Sequence, residues 1–155
     1  MAKYADQGLD IDANFKAITS NESFKLVSRW TFVENLTGDQ AAHTLFTVTG
    51  DVLVSIWGQC KTNIVGAGTL EVGIAGSTAA LIAQIADATD LDAGKNYVDA
   101  TPETVSALPG TFILNNGADI IATIGTADLT AGVVDFYITW RPLSSDGAVT
   151  VTTPA

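Results

Sequence analysis

One histidine, His43, and one cysteine, Cys60, make up the whole of this chain's supply of neutral-pH base and sulfur nucleophile. Placed side by side, they could attack an acyl carbon, with the imidazole taking the thiol proton. A serine hydrolase would need the same histidine and a Gly-x-Ser-x-Gly elbow, which the sequence lacks. His43 stands in Ala41-Ala42-His43-Thr44 at the start of a predicted strand, and Cys60 ends an apolar run. The expectation is a small buried thiol and a solvated or capping imidazole. No enzyme activity and no catalytic residue are assigned.

Metal chemistry meets a similar shortage. Zinc wants several Cys or His ligands, and this chain has two such residues. Calcium wants oxygen, and Asp87, Asp90 and Asp92 crowd the stretch DATDLDAG with Asp99 close behind. Their spacing does not follow the D-x-[DN]-x-[DN]-G pattern, so the loop reads as solvated acid. Gly66-Ala67-Gly68 lacks the Lys-Ser or Lys-Thr of a phosphate loop. Seventeen acids are present, but no pair is singled out for glycoside cleavage. Neither a metal nor a cofactor is expected.

Three tryptophans remain. Trp30 and Trp140 fall on the apolar faces of their strands, which predicts core packing. Trp57 falls on the face opposite Val54 and Ile56, which predicts exposure at an interface.

The elements that would hold these side chains are strands. In the run from Gly132 to Pro142, Val134, Phe136, Ile138 and Trp140 alternate with Asp135, Thr139 and Arg141. Phe24, Leu26, Trp30 and Phe32 alternate with Lys25, Arg29 and Thr31. Phe46, Val48, Gly50, Val52, Val54, Ile56, Gly58 and Cys60 all occupy even positions. A two-residue hairpin at Gly50-Asp51 would break that parity, so one long strand bent at Gly50 is predicted. Leu70, Val72 and Ile74 form a short strand. Residues 77–86 read as a short helix capped by Ser77 or Thr78, or as a strand, and the neighbouring strands favour the latter. Residues 87–110 read as loop, with a short extended piece at Tyr97-Val98. Asn115-Asn116-Gly117-Ala118 predicts a hairpin that sets Ile113 against Ile120 and Phe112 against Ile121. Pro142 ends the final strand.

About eight strands separated by Gly, Asn and Asp turns predict an all-β fold, an antiparallel two-sheet β-sandwich of the jelly-roll type. The expected organisation is an extended N-terminal arm over 1–22, the sandwich over 23–143, and a flexible C-terminal tail over 144–155. The arm carries Tyr4, Leu9, Ile11, Phe15 and Ile18 without a period of 2 or 3.6. It reads either as reaching partners outside its own core or as packing along its own sandwich.

The bulk numbers restrict partners. At 155 residues the chain is one domain, 47% apolar and only 15% charged, against about 25% charged in ordinary globular chains. A surface so poor in charge suits burial against neighbours. The net charge of −10 argues against nucleic acid and against an anionic membrane. With one cysteine no intramolecular disulfide forms, which fits synthesis in a reducing cytosol. MAKYADQGLD lacks the apolar core of a signal peptide, and no run approaches a membrane span.

Three runs carry a resemblance: Phe46 through Val54 (FTVTGDVLV), Phe112 through Ile121 (FILNNGADII), and Gly125 through Leu143, ending Trp140-Arg141-Pro142-Leu143. Together they resemble the capsid decoration, or cement, proteins of tailed bacteriophages, over roughly residues 24–145. The resemblance implies a protein made in the host bacterial cytoplasm that binds the outer surface of a phage head, as a dimer or trimer, and clamps adjacent copies of the major capsid protein. It implies an arm that adds a strand to a neighbour through Tyr4, Leu9, Ile11 and Phe15, with Trp57 a further contact. A tail or fibre module, another minor virion component, and a carbohydrate-binding module using Trp57 or the Asp87–Asp99 loop are the alternatives.

Overall fold

Alternation along the chain resolves into strands in the computed structural model, which describes residues 23–152. In chain order they are β1 (Phe24–Thr31), β2 (Ala42–Thr49), β3 (Val52–Val65), β4 (Thr69–Ile74), β5 (Ser77–Ile85), β6 (Asn96–Tyr97), β7 (Phe112–Leu114), β8 (Ile120–Gly125), β9 (Ala131–Pro142) and β10 (Ala148–Val151). A single 3-10 turn, Ala88–Asp90, follows β5.

All pairings between named strands are antiparallel, and four of them nest: β1 with β9, β2 with β8, β3 with β7, β4 with β5. A ribbon paired in that nested way and rolled up is a jelly roll. The first sheet runs β1-β9-β3-β6, with β7 also on β3. The second runs β10-β2-β8-β4-β5. The ambiguous run at 77–86 is a strand, at the edge of the second sheet.

The predicted faces meet in one core. Val54, Ile56, Phe136 and Ile138 point inward from the first sheet. Phe46, Leu70, Val72, Ile82, Ile85, Ile120 and Ile124 point inward from the second. Removing these faces from water drives the fold, at roughly 1.5–3 kcal/mol for each large side chain. Trp30 is 3% exposed and its indole N–H donates to the Thr37 carbonyl at 2.9 Å. Trp140 packs against the core, its ring 4.8 Å from that of Phe24. Tyr97 ties the layers together. It is fully buried on β6, and its hydroxyl donates toward the carbonyls of Leu70 (2.7 Å) and Ala83 (3.1 Å) on the second sheet.

At Gly50 the even-position parity holds, because Val48 and Val52 are both buried. The bend is sharper than a kink within one strand: the chain leaves the second sheet at Thr49 and enters the first at Val52. Gly50 takes φ +58°, and a Cβ there would run into an Asp146 carboxylate oxygen.

Two expectations are corrected. The turn at Asn116-Gly117 forms, with φ of 58° and 70°, but it joins no hairpin. Phe112–Leu114 pairs with Val52–Val54 of β3, while Ile120 begins β8 in the other sheet. The turn chemistry is local, and burial chooses the partners: Ile120 is fully buried, whereas Ile113 is 62% exposed on an outer face. The two sheet-crossing corners are bonded to each other, Asn116 N–H to the Asp51 carboxylate (2.9 Å) and Gly117 N–H to the Gly50 carbonyl (2.9 Å).

The tail, expected to be flexible from 144 on, supplies β10. Ala148–Val151 pairs with Thr49–Phe46, and Val149 is 4% exposed in the core. Only one of its side chains points inward, too little for a periodic signal in sequence. The arm over 1–22, and with it Tyr4, Leu9, Ile11 and Phe15, lies outside the described residues, as do 153–155.

Candidate docking face

β9 is the central strand of the first sheet, flanked by β1 and β3, so its outward side chains stand in rows with theirs. One row is Val27–Tyr137–Trp57. The Trp57 and Tyr137 rings are 5.6 Å apart and nearly parallel, at 10°. The Lys25 ammonium lies 5.3 Å from the Tyr137 centroid, within cation–π range. Lys25 comes from the strand on one side of Tyr137 and Trp57 from the strand on the other. Cation, phenol and indole form a ridge across three strands, with Val27, 42% exposed, beside it.

The next row is Arg29–Asp135–Gln59–Asn96, across four strands. Arg29 donates twice to Asp135, from Nε at 2.7 Å and from a terminal nitrogen at 2.8 Å. Asp135 is only 3% exposed. The Arg29 bond holds its carboxyl below the usual carboxylate range, against the opposing effect of burial. Lys61 donates to the Gln59 side-chain oxygen from the same strand. On the other side of the ridge, Leu53 stands between Arg141 and Ile113. The loop after β6 reaches this side too, where the Ser55 hydroxyl donates to the Pro109 carbonyl at 3.4 Å. That loop presents Val105 and Leu108, 83% and 65% exposed.

Among the described residues, Lys25, Arg29, Lys61 and Arg141 all stand on this face, and Lys95 instead turns to Asp92 at 3.0 Å. Trp, Tyr and Arg are the residue types of the energetically dominant part of protein interfaces, and the lysines suit a polar rim around them. The second sheet's outer face contrasts with it: Thr47, Thr49, Thr123, Thr150 and Gly73, with Glu71 its charge.

Trp57 therefore stands where the sequence put it, on an outer face, half-buried by the ridge. Tyr137, Lys25 and Val27 were missed. Alternation placed Tyr137 on the polar side of its strand, but its position beside Trp57 follows from register, which the sequence does not encode locally.

The chemistry-bearing residues are dispersed. The Cys60 thiol donates toward the carbonyls of Thr62 and Leu91, both at 3.1 Å, and burial pushes its pKa up to about 11. His43 sits on the second sheet, with Nε2 3.1 Å from the Asp39 carbonyl and its ring 5.5 Å from that of Trp30. In the acidic loop, Asp87 caps the 3-10 turn by accepting from the Thr89 N–H (3.0 Å) and hydroxyl (2.7 Å), which lowers its pKa. Asp92 pairs with Lys95, and Asp99 accepts from the Thr101 N–H at 2.7 Å. Among the described residues no three His, Cys, Asp or Glu side chains gather as a metal site. No helix there is long and apolar enough to cross a membrane.

No protein-family model matches the chain, and no curated protein matches it. Among solved structures, it is similar to a chain of the "Cyanophage Pam1 capsid asymmetric unit". That likeness has 18% sequence identity and a TM-score of 0.35, and it covers 79% of this chain and 89% of that one.

Proposed function

We propose that this chain is a structural component of a tailed-phage particle, a decoration protein that adheres to the outer surface of the head and ties adjacent capsid subunits together, and that it is not an enzyme. The observation that carries this reading is the outer face of the first sheet. It joins the Lys25–Tyr137–Trp57 ridge to a rigid three-strand base. Such a face needs little reordering to bind, which lowers the entropic cost of association. The runs that resemble those of decoration proteins fall in β2, β3, β7, β8 and β9 and the corners between them, which supports the same reading.

Each copy would bury an area of the standard interface class, about 800 Å² per partner. Copies linked as a dimer or trimer would then hold the shell by avidity, since release requires several contacts to break together. Tyr4, Leu9, Ile11 and Phe15 of the arm would add a second attachment, and the site of action would be the virion surface. The carbohydrate-binding alternative is weaker. Sugar platforms present aromatic faces to solvent, whereas Tyr137 lies between Lys25 and Trp57.

The test is mass spectrometry and cryo-electron microscopy of virions from the phage that encodes the chain. Copies in regular array on the head support the reading, and copies confined to the tail, or absent, reject it. Deleting residues 1–18 should leave a folded protein that binds heads poorly. Full-strength binding by the truncated form would reject the arm's role.

A further inference from the structure

Resting on that docking reading, we propose that the surface met by the outer face of the first sheet is an acidic protein surface with an apolar centre. The chain as a whole carries seventeen acids against seven Lys and Arg. On this face the balance reverses. Lys25, Arg29, Lys61 and Arg141 stand there, against two acids: exposed Glu103, paired with Asn96 at the far end of its row, and Asp135. Asp135 is 3% exposed and both of its oxygens are taken by Arg29. It offers a partner almost no negative charge. Arg29 meanwhile keeps a side chain that is 66% exposed. Lys25 sits against an aromatic ring, and Lys61 bonds a neutral amide.

The segregation selects a pose. An acidic partner is repelled by the remainder of this chain and attracted by the one face, so it is steered onto the ridge in a single orientation. Val27, Tyr137 and Trp57 then require an apolar counterpart at the centre, where water must leave. Phosphate backbones fit less well, because they demand a longer track of cations and have no use for Val27 between them.

The experiment uses the full chain and two probes. The first is poly-L-glutamate, followed by tryptophan emission at about 20 mM and about 300 mM salt, on either side of physiological screening. The wild type should respond at low salt and lose the response at high salt, and K25E/K61E should not respond at either. An unresponsive wild type, an unchanged response in K25E/K61E, or a stronger response to single-stranded DNA overturns the proposal. The second probe is purified phage heads. K25E/K61E should bind them at least about tenfold more weakly, while K25Q/K61Q should fall between. Where the wild type binds heads, equal binding by all three forms overturns the proposal. The two readings fail separately: a wild type that ignores heads but responds to polyglutamate rejects the phage-head role and leaves the acidic-partner assignment standing.

Discussion

Arg29 meets Asp135 across β1 and β9 with two hydrogen bonds, 2.7 and 2.8 Å, although the acid is almost wholly buried and the guanidinium largely exposed. The pair closes a hole that the strand pattern opens. Asp135 stands on the central strand β9, where it is almost wholly buried and needs a partner. R29A would strand a buried carboxylate, at about 1–3 kcal/mol. Because Asp135 titrates below its ordinary value of 3.8 when folded, the pair's contribution is complete above that value. It is lost as pH falls through the lowered one. Urea unfolding of wild type and D135N between about pH 6 and pH 2 should therefore converge at the acid end. A constant gap would contradict the assignment.

Tyr97 carries the polar link between layers. Y97F should cost about 1–2 kcal/mol, because it takes the hydroxyl donor from the buried Leu70 carbonyl and from the part-buried Ala83 carbonyl. For a chain of this size that lowers Tm by roughly 2–4 °C per kcal/mol. Burial raises the phenol's pKa well above 10.0. Its contribution is therefore present below the unfolded value and lost as pH rises beyond it, and alkaline unfolding of the wild type should steepen relative to Y97F.

Gly50 makes the sheet-to-sheet corner with a left-handed backbone. G50A meets both the φ of +58° and the tips of Asp146 and Ser144, so a loss of about 1–3 kcal/mol is expected in denaturant unfolding. A neutral result would mean that the corner relaxes freely.

Cys60 should be inert while the protein is folded. With its pKa near 11 and its thiol buried, reaction with a disulfide reagent at pH 8 should run at least about a hundredfold slower than in denaturant. Comparable rates would contradict the burial.

The layered fold was legible because period 2 reports burial directly. Val134, Phe136 and Ile138 could face inward in no other way. At Gly50 parity excludes a hairpin for the same reason, but it predicts one bent strand where the chain passes from one sheet to the other. What escaped was pairing. Asn116-Gly117 is a strong turn signal whichever strands it joins, and only the completed core shows that Phe112–Leu114 belongs to β3. β10 escaped because Val149 is a single inward side chain among threonines. Trp57 could be assigned to an outer face from parity alone. Its ring partner Tyr137 and the Lys25 that lies over Tyr137 come from two other strands, and only register brings the three together.

Sedimentation of purified heads with W57A/Y137A beside the wild type tests the docking face most directly, with circular dichroism and Tm establishing that both are folded. Binding should fall by at least about a hundredfold, as for loss of a central aromatic anchor pair, while the fold persists. A folded double variant that coats heads as well as the wild type would contradict the account.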